Sequence, residues 1–96
     1  MVVSSDVERC VCAAVRLPDG RIAAGHRHWN CFPVAEAMGH TIRITQEMQG
    51  FLTSTGRFVN REEGMLLQLA AGIPTADPRR VNRYVAGGKL YSEDLY

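Results

Sequence analysis

The stretch from Gln49 to Gly72 constrains the fold most, because it reads as a hairpin that leads directly into a capped helix. Two β-prone segments flank a turn that contains Gly56. Asn60 lies three residues before Glu63, which is the spacing of a capping box at the start of a helix. The residues that follow predict a helix with an apolar face, which Gly72 ends. The expected apolar members are Met65, Leu66, Leu67, Leu69 and Ala70.

The start of this helix is the best candidate for a binding site. Arg57, Asn60 and Arg61 cluster where free backbone N–H groups and the helix dipole favour an anion. Phe51 and Phe58 lie in the hairpin beside them and are candidates for stacking on a nucleotide base, with core packing as the alternative role. The sequence therefore predicts a phosphate-binding site at this helix start.

Another hairpin, the first along the chain, is expected near the N-terminus, with strands at Val7–Leu17 and Arg21–Trp29. If Asp19-Gly20 is a two-residue loop, Pro18 pairs with Arg21 and the register follows by counting. One face of the hairpin is then the core face, with two histidines at its open end. Its members are Val11, Ala13, Val15, Leu17, Ile22, Ala24, His26 and His28.

The remaining segments predict short elements. Asn30 is expected to cap a helix over Cys31–Met38 that packs through Phe32, Val34, Ala35 and Met38. His40–Thr45 alternates like a strand, and Asp77 followed by Pro78 marks another helix start. Strands with helices on one side indicate a single α+β domain over residues 1–96, a small antiparallel sheet with two to three helices packed on it.

Composition excludes several classes of function. The 96 residues carry a formal net charge of +1, which removes the broad electrostatic case for duplex DNA or an anionic membrane surface. No apolar run approaches the roughly 18–20 residues of a membrane span, and no signal peptide is apparent. Three cysteines without a framework spacing predict reduced thiols in a cytosol.

Five residues raise the hypothesis of a zinc site: Cys10, Cys12, His26, His28 and Cys31. Their spacing differs from the common zinc patterns, and the expected register puts the first two cysteines on the face opposite the histidines. Cys31 beside His28 is also a conceivable nucleophile and base, with a thiol pKa lowered by the helix start. No oxyanion loop or orienting carboxylate accompanies them. The pattern favours a protein that is not an enzyme and needs no metal or cofactor.

Arg79, Arg80 and Arg83 place positive charge on the helix expected after Asp77. A solvated face is the ordinary interpretation of such a run. Phosphate contact by Arg80 and Arg83 is the functional alternative, because a guanidinium fork matches phosphate oxygens.

Three stretches together resemble the phage Thoeris anti-defence proteins of the first type. They are Gly25–His28 running into Cys31, the central Gln49–Glu63, and the terminal Leu90–Tyr96. The resemblance implies a sponge that sequesters cyclic ADP-ribose isomers made by bacterial TIR-domain proteins and leaves them intact. It also implies a homo-oligomer (dimer or hexamer) in the cytoplasm of the infected host, and some members hold cyclic oligonucleotides at separate sites.

The implied function agrees with the residues that the local patterns single out. Arg57, Asn60 and Arg61 would supply phosphate donors, with Phe51 or Phe58 as a stacking surface. The two histidines, His26 and His28, would reach phosphate or ribose from another subunit. Two other classes stay open: a small module that inhibits a host protein, and a zinc-dependent phosphoesterase.

Overall fold

A computed structural model describes residues 7–40 and 43–96. In these ranges the chain forms four strands, two α-helices and three short 3₁₀ segments. The strands are β1 (Cys10–Arg16), β2 (Ile22–Gly25), β3 (Gln49–Thr53) and β4 (Phe58–Asn60); the α-helices are α1 (His28–Ala37) and α2 (Arg61–Ala70). All strand pairs are antiparallel in the order β2-β1-β3-β4. The predicted α+β class is confirmed.

Both α-helices pack on one face of the sheet. Ala13 on β1 lies opposite Phe51 on β3, which in turn lies opposite Val59 on β4, so all three side chains share a face. Cys31 on α1 belongs to the apolar cluster around Ala13, and α2 contributes to the cluster around Phe51. The second cluster contains Cys10, Phe51, Val59, Met65 and Leu90.

The register predicted for the first hairpin is wrong by one residue. Leu17 N donates to Arg21 O at 2.8 Å, and Arg16 pairs with Ile22. The loop therefore has three residues, with Gly20 at a φ of +93°. A two-residue loop of the predicted type needs positive φ at both of its positions, whereas a proline after Leu17 favours a type I turn that a left-handed glycine then closes. The core face of β2 consequently carries Ala23 instead of the histidines.

A bulge in β1 explains why Cys10 is buried and Val11 is not. The register with β3 shifts between Cys10 and Cys12, so the extra residue Val11 is 50% exposed. Cys10 then lies on the core face, and its N–H donates to Oε1 of Gln68 on α2 at 2.8 Å. The bulge thus links the first strand to the second helix.

The second strand is shorter than predicted, and α1 begins earlier. The strand ends at Gly25, and Arg27 caps α1 with Asn30 three residues on, where Asn30 Oδ1 accepts the Arg27 N–H at 3.0 Å. Asn30 is therefore inside the helix start and does not precede it. The predicted packing face is right for Ala35 and Met38, which pack in the cluster around Ala13, and wrong for Phe32 and Val34. His28 and Cys31 complete the buried side of the helix. Three large side chains stay exposed: Trp29 at 68%, Phe32 at 40% and Val34 at 39%.

The helix α2 has the predicted start and cap, and its predicted apolar face is confirmed only in part, because Met65 is buried and Leu67 and Leu69 pack against the second cluster. Its buried residues are Arg61, Gly64, Met65 and Gln68, while Leu66 is 54% exposed. A Cβ on Gly64 would lie 3.2–3.3 Å from atoms of Leu90, Cys10 and Phe51, so glycine permits this close approach to the sheet. The approach carries Arg61, one turn earlier, into the protein interior.

The predicted strand at His40–Thr45 falls partly on residues 41 and 42, which lie outside the described ranges; Arg43–Thr45 form no strand. The predicted helix after Asp77 is a 3₁₀ segment, Pro78–Arg83, and Asp77 caps it by accepting the Arg79 N–H at 3.0 Å. No helix in residues 7–40 and 43–96 is long and apolar enough to cross a membrane.

Candidate functional site

The N-terminus of α2 is built as the capping-box spacing predicts. Asn60 Oδ1 accepts the Glu63 N–H at 2.8 Å, and Glu63 Oε1 accepts the Asn60 N–H at 2.9 Å. The sharp exit from β4 into the helix places Arg61 at the first helical position. Both cap side chains are therefore occupied, and Arg61 is the group that the geometry leaves for a ligand.

Arg61 is a buried cation whose hydrogen-bond partners are neutral. It is only 8% exposed, and the part of the chain that the structure describes offers it no carboxylate partner. Nη1 donates to Gln46 Oε1 at 2.9 Å, and Nη2 donates to Gln49 Oε1 at 3.2 Å. Nε is buried with no hydrogen-bond partner. Burial lowers the pKa of Arg61, since amide dipoles offset the lost hydration only in part.

His28 orients this guanidinium as a neutral ring. Nδ1 lies 3.2 Å from Arg61 Nη2, which can only donate, so Nδ1 accepts. Nε2 lies 2.7 Å from the carbonyl oxygen of Gly50, so Nε2 carries the proton. Burial is the main cause that lowers the pKa of His28, and the charge of Arg61 lowers it further. The edge of the ring meets Phe51 at 5.1 Å between centroids, which holds its position.

The C-terminal segment supports Arg61 from the other side. The Tyr91 ring lies between two guanidinium groups, with Arg61 Cζ 4.8 Å and Arg80 Cζ 4.5 Å from its centroid. Arg80 Nε donates to Asp94 Oδ1 at 2.8 Å, and the same carboxylate accepts the Tyr91 N–H at 2.9 Å. Asp94, which is 1% exposed, therefore anchors the stack that ends at Arg61.

An open cleft of about 340 Å³ lies over this arrangement. Its lining is polar and carries both signs of charge. The lining residues are Gln46, Glu47, Gln49, Asn60, Arg61, Glu62 and Lys89. A cleft with a buried guanidinium in its lining and amide groups around it suits a small ligand that carries a phosphate group.

One family model matches residues 9–96, which include every residue of this cleft, and its description is phage T4 y16D protein. The chain belongs to this family. Neither the curated proteins nor the solved structures contain a match. The family name identifies a phage protein and carries no activity.

The structure brings Arg61, Asn60 and His28 together within one chain, whereas the sequence analysis expected the histidine to reach the ligand from another subunit, and it separates Arg57 from them. Arg57 forms a bidentate ion pair with Glu8, at 2.7 Å from Nε to Oε2 and 2.8 Å from Nη2 to Oε1. Together with hydroxyl donors, Arg57 lowers the pKa of Glu8 to about 2. Its guanidinium is thus engaged in joining the N-terminal segment to the second hairpin.

The two phenylalanines offer the cleft no stacking face. Phe51 is fully buried in the core. Phe58 is half-buried beneath the guanidinium of Arg16, with Arg16 Cζ 5.2 Å from its centroid. The pairing register puts Phe58 on the sheet face opposite Phe51. The observed aromatic neighbour of Arg61 is Tyr91, which sequence reasoning did not place at the site.

His26 and the two arginines of the 3₁₀ segment also lie elsewhere. The His26 ring stacks on Tyr96 at 4.1 Å between centroids. Arg80 acts through Tyr91 and Asp94, as a support for the site rather than part of its lining. Arg83 is exposed and outside the cleft lining.

The candidates for zinc or covalent chemistry are not assembled. Within residues 7–40 and 43–96, no group of three His, Cys, Asp or Glu side chains is placed to hold a metal ion. Burial raises the pKa of Cys10 to about 12 and that of Cys31 to about 11. The expected lowering at Cys31 is wrong, because its thiol is fully buried in the fourth position of α1 and donates to the Arg27 carbonyl.

The amide partners of Arg61 were not apparent from the sequence. Gln46 lies just before β3 and Gln49 is its first residue, and in the sequence both look like ordinary polar positions. Lys89 reaches the cleft only because the C-terminal segment returns to α2, where Leu90 N donates to Arg61 O at 2.9 Å. The sequence did hold one signal for the burial of Arg61. Arg61 lies three residues before Gly64 and four before Met65, which puts all three on one face of α2.

Proposed function

We propose that this phage protein binds a cyclic ADP-ribose isomer, an immune signal of TIR-domain proteins, and sequesters it without degrading it. The observation that carries the proposal is the buried guanidinium of Arg61, which has no carboxylate partner among the described residues. An unpaired buried charge is costly to stability, so its retention points to an anion that completes its pairing. The phosphates of such a nucleotide supply that anion.

Sequestration, as opposed to turnover, is supported by the groups near the cleft. His28 has both ring nitrogens engaged and a pKa lowered by burial, so it is poorly suited to take a proton from water. The thiols of Cys10 and Cys31 have raised pKa values and are fully protonated near neutral pH. A site with charge and hydrogen-bond donors but without an activated nucleophile binds its ligand unchanged.

The proposal places the protein in the cytoplasm of the infected host, where TIR-domain enzymes release their product. It also includes self-association into a dimer or hexamer, because an open cleft encloses little of a ligand with two phosphates and two riboses. The exposed outer side of α1, with Trp29 at 68%, offers apolar surface for such contacts. Light scattering after size exclusion is expected to give a mass of at least twice 10.6 kDa. A monomer at all concentrations tested would remove this part of the proposal.

The same α1 surface favours one second candidate, a module that inhibits a host protein. A filtration experiment separates sequestration from this second candidate. Purified protein is mixed with a TIR-generated cyclic ADP-ribose isomer and filtered, and the retained fraction is then heated and chromatographed. We expect the nucleotide to be missing from the filtrate and to return intact after heating.

Other outcomes of this filtration test decide between the alternatives. Conversion of the nucleotide to a new product would make the protein an enzyme, and zinc analysis of the same sample would then test the phosphoesterase alternative. An unbound and unchanged nucleotide would contradict sequestration and leave the host-protein inhibitor as the better candidate.

A further inference from the structure

The cleft lining contains two acidic residues whose carboxylates have no hydrogen-bond or ion-pair partner among the described residues. Glu47 lies in the 3₁₀ segment Gln46–Met48, and Glu62 is the second residue of α2. Both line the cleft and are exposed. Across residues 7–40 and 43–96, neither carboxylate takes part in a hydrogen bond or an ion pair. Carboxylates at the mouth of an anion site weaken the binding of a simple anion, so their presence requires a reason.

The adjacent Glu63 offers a comparison at the same helix start, where the carboxylates of Glu62 and Glu63 both favour the helix dipole. Glu63 occupies the same helix terminus, but its carboxylate is used in the capping box with Asn60. It is absent from the cleft lining. Glu62 therefore differs from its neighbour in facing the cleft while serving no hydrogen bond of the described fold.

The donors and acceptors of the cleft are distributed unevenly. The buried Arg61 and the nearby Lys89 offer only donors, which match phosphate oxygens. Glu47 and Glu62 offer only acceptors, which match hydroxyl groups. A ligand that satisfies both must bring phosphate and hydroxyl groups together, as a ribose phosphate does. Inorganic phosphates bring no sugar hydroxyl groups, and their negative charge is repelled by the carboxylates.

We propose that Glu62, assisted by Glu47, makes this cleft selective for phosphates that carry ribose hydroxyl groups. This inference rests on the proposed function, since it assigns the sugar recognition of the same site. A hydrogen bond to a charged group contributes roughly ten- to a hundredfold in affinity, and a ligand without the hydroxyl leaves the carboxylate unpaired and binds more weakly. The two carboxylates thus disfavour the binding of bare phosphate and favour that of a nucleotide.

The test compares two probes on the full-length protein by calorimetry: ADP-ribose and inorganic pyrophosphate. Wild-type protein is expected to bind ADP-ribose at least tenfold more tightly than pyrophosphate. Glu62→Gln is expected to weaken the binding of ADP-ribose by about tenfold and to leave that of pyrophosphate unchanged or tighter, because an amide oxygen accepts a hydroxyl less strongly than a carboxylate and the repelling charge is gone. Glu47→Gln should change the affinities for the two probes in the same directions as Glu62→Gln, but by a smaller factor.

Glu63→Gln is the matched control, since it removes the same charge one residue away and glutamine still fits a capping box. It should leave the ratio of the two affinities within about twofold of wild type. If Glu62→Gln tightens both probes, or if wild type shows no preference for ADP-ribose, the ribose assignment is wrong while the anion site stands. If ADP-ribose does not bind to the wild-type protein, or if its affinity is insensitive to Arg61→Met, the proposed function fails together with the ribose assignment.

Discussion

Replacing Arg61 by methionine is expected to weaken nucleotide binding by at least tenfold while the melting temperature stays constant or rises. The guanidinium is desolvated without a carboxylate partner, so the folded protein gains little from its charge. A ligand phosphate gains a charge-assisted hydrogen bond, which is typically about 1.5–3 kcal/mol, or a factor of roughly ten to a hundred in affinity. Function and stability are therefore expected to move in opposite directions at this residue.

Two further variants make this expectation specific. Arg61→Lys keeps the charge but loses the planar fork that spans Gln46 and Gln49, so we expect an intermediate affinity. Arg57→Met is the matched control, because Arg57 is paired with Glu8 outside the cleft and its loss should change affinity by less than about twofold. Affinities come from calorimetry with the TIR-generated nucleotide, and stabilities come from thermal unfolding. A large drop in melting temperature with Arg61→Met, or unchanged affinity, would show that Arg61 serves the fold and not a ligand.

Removing the carboxylate of Asp94 is expected to cause the largest loss of stability in the chain. Asp94 is 1% exposed and accepts from Arg80 Nε at 2.8 Å, Thr75 Oγ1 at 2.5 Å and Tyr91 N at 2.9 Å. Asp94→Ala leaves Arg80 without its anion, although the Arg80 side chain is only 15% exposed. Breaking a buried pair in this way costs about 3 kcal/mol or more, which corresponds to a fall of more than about 10 °C for a domain of this size.

Asp19→Ala is the matched control for Asp94, since it breaks an exposed aspartate–arginine pair of similar length. Asp19 and Arg21 are 53% and 51% exposed in their side chains, so solvent screens the pair and the expected loss of stability is much smaller than for Asp94→Ala. The milder Asp94→Asn should still fold below room temperature and should weaken nucleotide binding severalfold, because Tyr91 loses the contact that holds it against Arg61. Equal melting temperatures for Asp94→Ala and Asp19→Ala would contradict the anchoring role of Asp94.

Local patterns predicted the parts of the fold that depend on near neighbours. The hairpin over β3 and β4, the capping box of Asn60 and Glu63, and the cap at Asp77 are all set within a few residues of the chain. The first hairpin was misjudged for a local reason as well. The proline before Asp19 favours a type I turn closed by Gly20, and this outweighs the preference of Asp-Gly for a two-residue loop.

Contacts between distant segments decided the rest. Apolar periodicity selected Leu66 for the core of α2, but the bulge at Cys10 and the close approach at Gly64 turned Gln68 and Arg61 inward instead. A helix pattern cannot reveal this, because the N–H that Gln68 satisfies belongs to a strand 58 residues away. For the same reason, a sequence alone cannot say which of several arginines becomes the buried one.

The candidate site shows the same division between local and distant causes. The sequence alone placed Arg61 and Asn60 at a helix start, since capping chemistry is local, and it correctly gave the α+β class. Only the tertiary structure paired Arg57 with Glu8, buried Phe51, and brought Tyr91 and Lys89 across to Arg61. The physical reason is that charge pairing and burial depend on which surfaces meet when α2 and the C-terminal segment fold back onto the sheet.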